Sequence, residues 1–212
     1  KKLPGWSKLA AVVLVTLAGV SLAIGQPTNE DRWHKIAAEA QTKLDAREVQ
    51  IVPAELLNYM NDSNIKVVPI DVREESDYNL FHLAGAVHVP LEDVQEKARE
   101  LQVELANTLF VTISNDEAAA TEAWKILKEE RIQNVYILEG GINGWLDNYA
   151  HGVFDEQDHI ADHAPDQLAY RFNAANGARH PAADPNPHVL DLSYEPKVIL
   201  ELKRAPTGGG CG

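Results

Sequence analysis

The chain has 212 residues, 45% hydrophobic and 24% charged, which is a globular composition and excludes a disordered chain. The formal net charge of −13 argues against a nucleic-acid partner, and the single cysteine, Cys211, excludes an intrachain disulfide. At this length one ordinary domain with appendages is expected.

Lys1, Lys2 and Lys8 precede an uncharged run over residues 9–25, LAAVVLVTLAGVSLAIG. That length sits at the lower edge of what crosses a bilayer, so residues 1–28 read as a membrane anchor in contact with lipid through 9–25. A cleaved secretory signal is the alternative, because Ala23-Ile24-Gly25 resembles a small-x-small site. Basic residues crowd the front of the run, whereas Glu30, Asp31 and Glu39 dilute them behind it. This bias predicts a single-pass protein with its amino terminus in the cytoplasm and its domain on the periplasmic, extracytoplasmic side. Trp6 and Trp33 flank the run at interface depth.

Residues 29–48 read as a juxtamembrane helix. Asn29 is a capping residue, Glu30 and Asp31 suit the first turn, and Trp33, Ile36, Ala37, Ala40 and Leu44 recur at helical spacing. The domain proper spans 49–149. A short helix begins at Pro53, and 66–72 (KVVPIDV) reads as a buried strand ending in Asp71-Val72-Arg73. A helix over 75–81, a strand over 87–90 and a helix over 91–105 follow. The stretch from Thr108 to Trp145 is then strand, acidic loop, helix, strand and a Gly-Gly turn. That is a parallel βαβ pattern, and ligands in such sheets bind where strand carboxyl ends meet helix amino ends. The loop from Ser114 to Ala119 lies at that place.

Asp71-Val72-Arg73, Tyr78, and His82-Leu83-x-Gly85-Ala86-x-x-Val89-Pro90 together resemble the first half of a rhodanese-like domain, D-V-R…G-H-I-P-G-A…I-P. Val135-x-x-Leu138-x-Gly140-Gly141-x-x-x-Trp145 resembles its second half. The resemblance covers about residues 50–149 and implies an α/β fold, a central parallel sheet flanked by helices. Asp71 and Arg73 are expected to pair with each other or with loop amides. Trp145 is expected to fill core space, and His82 to be a hydrogen-bonded fold residue.

The resemblance also implies what the loop lacks. Active members read C-x-x-G-x-R there, the cysteine carrying a persulfide in a nest of inward N–H groups. Here Ser114 stands at the cysteine's position, Glu117 at the glycine's and Ala119 at the arginine's, in the loop Ser114-Asn115-Asp116-Glu117-Ala118-Ala119. A serine hydroxyl has no thiolate chemistry at neutral pH, and no histidine is placed by sequence to activate it. Asp116 and Glu117 put negative charge where an anion would sit. Ser114 or Asn115 is instead expected to cap the following helix. The catalytic assignment is therefore none, and no cofactor is expected.

Residues 150–206 read as an irregular extension. His159 and His163, four apart among aspartates, are the one candidate metal pair, on a helix face if one forms, against a solvated linker. A helix over 167–176 and strands over 189–192 and 197–202 are expected. The tail, 207–212, carries Cys211 among glycines and resembles the terminal arm of sulfur-carrier subunits. Two functions follow. One is a non-catalytic docking subunit of a membrane complex, with other membrane-protein subunits as partners. The other is a membrane-anchored sulfur carrier that uses Cys211.

Overall fold

The structure, a computed structural model, describes residues 6, 10, 12–16, 29–190 and 193–201. Most of the expected anchor and the whole Cys211 tail lie outside the described residues. Among the described residues no helix is long and apolar enough to cross a membrane.

The helix α1 spans Asn29–Asp45. Its stripe of Trp33, Ala40 and Leu44 lies on the domain core, so it packs on its own chain. Next come β1 (Gln50–Ile51), α2 (Pro53–Met60), β2 (Lys66–Asp71), α3 (Glu75–Leu80) and β3 (Val87–His88). The second half holds α4 (Val94–Leu101), β4 (Thr108–Ile113), α5 (Ala118–Glu129), β5 (Val135–Leu138) and α6 (Gly141–Tyr149). The expected helix over 91–105 is thus shorter. A single 3₁₀ turn, Leu91–Asp93, precedes α4, and the chain leaves the helix before Val103 and Leu105, which are exposed.

The five strands form one sheet in the order β1-β5-β4-β2-β3, every pair parallel. β4 is central and all six of its residues are buried, as a strand covered on both faces must be. Its side chains alternate between two cores. Phe110 joins the core that includes Leu44, Ala98, Trp124 and Leu127, from α1, α4 and α5. Leu109, Val111 and Ile113 join the core that includes Leu56, Leu57, Ile142 and Trp145, from α2 and α6. The parallel order aims every strand's carboxyl end at one rim, where the Ser114 loop lies.

The extension differs from its expectation. Residues 167–176 form no helix and 197–201 no strand; 187–189 is a 3₁₀ turn, and 191 and 192 lie outside the described residues. Leu168, Tyr170 and Phe172 recur every two residues, so an extended chain turns all three to one side, and all three pack on the core that holds Trp145. Phe172 stacks on Phe81 at 5.7 Å and meets Phe154 edge-on at 5.2 Å. Residues 197–201 run antiparallel to β5 but meet it through side chains rather than a strand edge. Ile199 N–H donates to the Tyr136 hydroxyl (2.8 Å) and Glu201 N–H to Asn134 Oδ1 (2.7 Å). Lys197 and Val198 N–H both donate to Oε1 of the buried Glu55, at 2.9 and 2.8 Å.

Candidate functional site

β2 and β4 end side by side, with Asp71 in register with Ile113. Beyond them Arg73 folds back on Asp71, Nε to Oδ1 at 2.9 Å and Nη2 to Oδ2 at 2.7 Å. The two side chains are 1% and 0% exposed. A buried ion pair is tolerable only when its remaining donors are satisfied. Here Nη2 also donates to the Phe81 carbonyl (2.6 Å) and Nη1 to Asn115 Oδ1 (3.2 Å). The guanidinium therefore ties the end of β2, the end of α3 and the loop into one unit.

The loop is held from behind by backbone. Ile142 and Asn143 N–H, in the first turn of α6, donate to the carbonyls of Ser114 and Asn115, each at 2.9 Å. Gly141 makes this approach possible. It has φ +58°, and a Cβ there would lie 2.0 Å from the Asp116 oxygen and 2.4 Å from that of Ser114. Ser114 is buried, and its Oγ accepts from Ala120 N–H at 3.2 Å. The hydroxyl thus serves the amino end of α5, and among the described residues no histidine hydrogen-bonds to it.

The acidic residues of the loop are committed. Glu117 accepts both Nη1 and Nη2 of Arg47 at 2.8 Å each, and Gly140 N–H at 2.8 Å. Burial works to raise the Glu117 carboxyl, but the bonds from Arg47 and Gly140 outweigh it, and the group titrates below its ordinary value. Glu117 has no side-chain bond to the start of α5; its carboxylate is taken up by this clamp. Arg47 also reaches Glu139 at 3.3 Å. Asp116 accepts from Asn143 Nδ2 at 2.7 Å, and Asn115 Nδ2 donates to Asp77 at 2.7 Å.

One side chain of the extension completes the site. Asp166 Oδ1 accepts Asp116 N–H and its Oδ2 accepts Ala119 N–H, both at 2.7 Å. In return Asp166 N–H donates to Asp116 Oδ2 at 2.9 Å. Asn143 braces the exchange by donating to the Gln167 carbonyl (2.9 Å) and accepting Ala169 N–H (2.8 Å). Asp166 has φ +57°, a left-handed conformation that aspartate tolerates better than most residues. The loop's N–H groups at 116 and 119 thus point at an anion, and that anion is the chain's own carboxylate. A cleft of about 890 Å³ remains open beside it, bounded by the loop, the ends of β2 and α3, and residues 166–172.

The other expected residues lie apart from this centre or outside the structure. Ala118 opens α5 and contributes no side-chain chemistry. His82 stacks on Tyr78 with ring centres 3.7 Å apart, its Nδ1 bonded to the Tyr78 carbonyl at 2.7 Å. Trp145 is fully buried, its Nε1 donating to the Ala182 carbonyl at 2.6 Å. His159 and His163 share no helix face. His159 bridges to Tyr170 and His163 contacts its neighbour's carbonyl, and no group of three or more metal-type ligands gathers among the described residues. Asp166, Arg47 and Asn143 are the residues that sequence reasoning missed. Asn143 stands next to the Gly-Gly motif and was the accessible signal; the other two carry none.

Residues 52–148 match the family model described as Rhodanese-like domain. Among curated proteins, YrkF of Bacillus subtilis strain 168, a candidate sulfur carrier protein, is 26% identical over 101 residues, 48% of this chain and 53% of YrkF. The chain therefore spans about half the length of that relative. Two solved structures are also similar. A rhodanese-like domain from Anabaena is 21% identical, covering 59% of this chain and 94% of that one, with a TM-score of 0.41. A rhodanese-related protein from Thermoplasma volcanium is 20% identical, covering 46% and 90%, with a TM-score of 0.39.

Proposed function

We propose that the segment over residues 52–148, which matches the rhodanese-like family model, is in this chain a non-catalytic docking module, a membrane-tethered subunit of a larger membrane assembly. The single observation that carries this reading is the Asp166 carboxylate on the N–H groups of Asp116 and Ala119. A sulfur-transfer loop needs a thiolate at its first position and an open anion seat. Here the first position is a serine hydroxyl bonded to the start of α5, and a carboxylate of the same chain takes the seat. The tether is carried by the uncharged run over residues 9–25 and the basic residues in front of it. A thiosulfate–cyanide assay on the intact chain is expected to give no turnover above the uncatalysed rate. Turnover that survives Cys211→Ser overturns the reading. Ser114→Cys is expected to stay inactive, because Asp166 still fills the seat.

A second reading has one observation in its favour, the likeness to YrkF over the matched half of that protein. In it the chain carries sulfur as a persulfide on Cys211 rather than in the loop. Mass spectrometry of the intact chain after incubation with a persulfide donor decides: a gain of one sulfur atom on Cys211 favours the carrier, and an unmodified thiol removes it.

A further inference from the structure

The cleft beside the Ser114 loop has walls of two kinds. Leu91 and Phe172 give it apolar surface; Glu74, Asp77, Glu92 and Asp166 give it carboxylates. The positive side is weaker. Arg73 is buried and neutralised by Asp71, and Arg171 turns Nη1 to the Gln157 carbonyl at 3.1 Å. Four carboxylates thus face one remaining guanidinium. An external anion entering here meets Asp166 already seated on the loop's N–H groups and repulsion from the rest. Glu74 and Glu92 are exposed at the rim and form no ion pair among the described residues. The charge of this cleft is therefore inverted relative to what an oxyanion needs, while its apolar wall stays open.

We propose that the cleft docks a basic polypeptide segment of a partner protein, an arginine or lysine entering past Glu74 and Glu92 with an apolar neighbour against Leu91 and Phe172. The inference rests on the docking reading above and names the partner's chemistry. The test titrates the intact chain with the blocked peptide Ala-Arg-Leu-Arg-Leu-Ala by calorimetry at low and at physiological salt. Binding is expected to weaken with salt. The same peptide with glutamate for arginine is expected not to bind. Glu74→Gln with Glu92→Gln is expected to weaken binding by at least about fivefold. Asp45→Asn with Glu96→Gln removes the same charge elsewhere and is expected to change binding by less than about twofold. Three results overturn the proposal: no binding of the basic peptide, equal weakening by the two double variants, or free arginine binding as tightly as the peptide. Sulfurtransferase turnover would sink the non-catalytic reading without touching this titration, so the two failures are distinguishable.

Discussion

Two of the places where the extension is fastened to the domain are built in opposite senses. At the loop, a side chain of the extension grips backbone of the domain, Asp166 on the N–H groups of Asp116 and Ala119. Across β5, side chains of the domain grip backbone of the extension: Glu55, Tyr136 and Asn134 take the N–H groups of Lys197, Val198, Ile199 and Glu201. The first fastening centres on one residue of the extension, whose carboxylate takes loop backbone and whose own N–H goes to the Asp116 carboxylate. The second centres on three residues of the domain, with Lys197 Nζ on the Gln50 carbonyl and Val198 and Leu200 on the core beside them. Neither is made by strand pairing.

The largest effect expected lies under the first fastening. Gly141→Ala sets a methyl 2.0 Å from the Asp116 oxygen at a positive φ, with backbone on the other side and nowhere to move. It should cost more than about 4 kcal/mol or prevent folding, read as the urea midpoint. Asp166→Gly removes the carboxylate without adding backbone strain. It should cost about 2–3 kcal/mol, with faster hydrogen exchange at Asp116 and Ala119 N–H and no change at Val198. Glu55→Met keeps volume and removes the acceptor at the second fastening. About 1–2 kcal/mol is expected, with the exchange pattern reversed, fast at Lys197 and Val198 and unchanged at Asp116. If either variant loosens both places, the fastenings are one cooperative unit and the contrast between them fails.

The smallest effect concerns the brace behind the loop. Arg47 is largely exposed, so Arg47→Met should cost only about 0.5–1 kcal/mol near neutral pH. The sign with pH follows from Glu117, whose folded carboxyl titrates below its ordinary value of 4.5. A depressed carboxyl contributes stability that is present above the unfolded pKa and lost as pH falls through the folded one. Wild type and Arg47→Met should therefore differ at pH 7 and converge in acid. A difference that persists undiminished well below pH 4.5 would mean the bond to Glu117 is not its source.

How much was legible in the sequence follows the same division. β2, β4 and β5 are runs rich in apolar residues, and β2 ends one residue short of its expected bound. α2 begins at its proline. The Asp71–Arg73 pair follows from local order alone. The helix expected over 167–176 overlooks the two-residue alternation of Leu168, Tyr170 and Phe172, which describes an extended strap. Asp166 stands fifty residues from the amides it meets, in an Ala-Pro-Asp turn that resembles any surface turn. Arg47 sits just past the end of α1, where a cation suits the helix dipole whether or not it has a partner. Contacts between one side chain and distant backbone leave no periodicity, so they could not be read.

The close approach at Gly141 has a consequence for how the loop tolerates substitution. The carbonyls of Ser114 and Asn115 are fixed by N–H groups of α6, and the path of the loop is set by backbone meeting backbone. Side chains at 114–119 hang from a frame they did not build. Substitutions at 114–119 are therefore expected to change the bonds those side chains make while leaving the path of the loop in place. What holds that path is the glycine, a residue with no side-chain chemistry of its own.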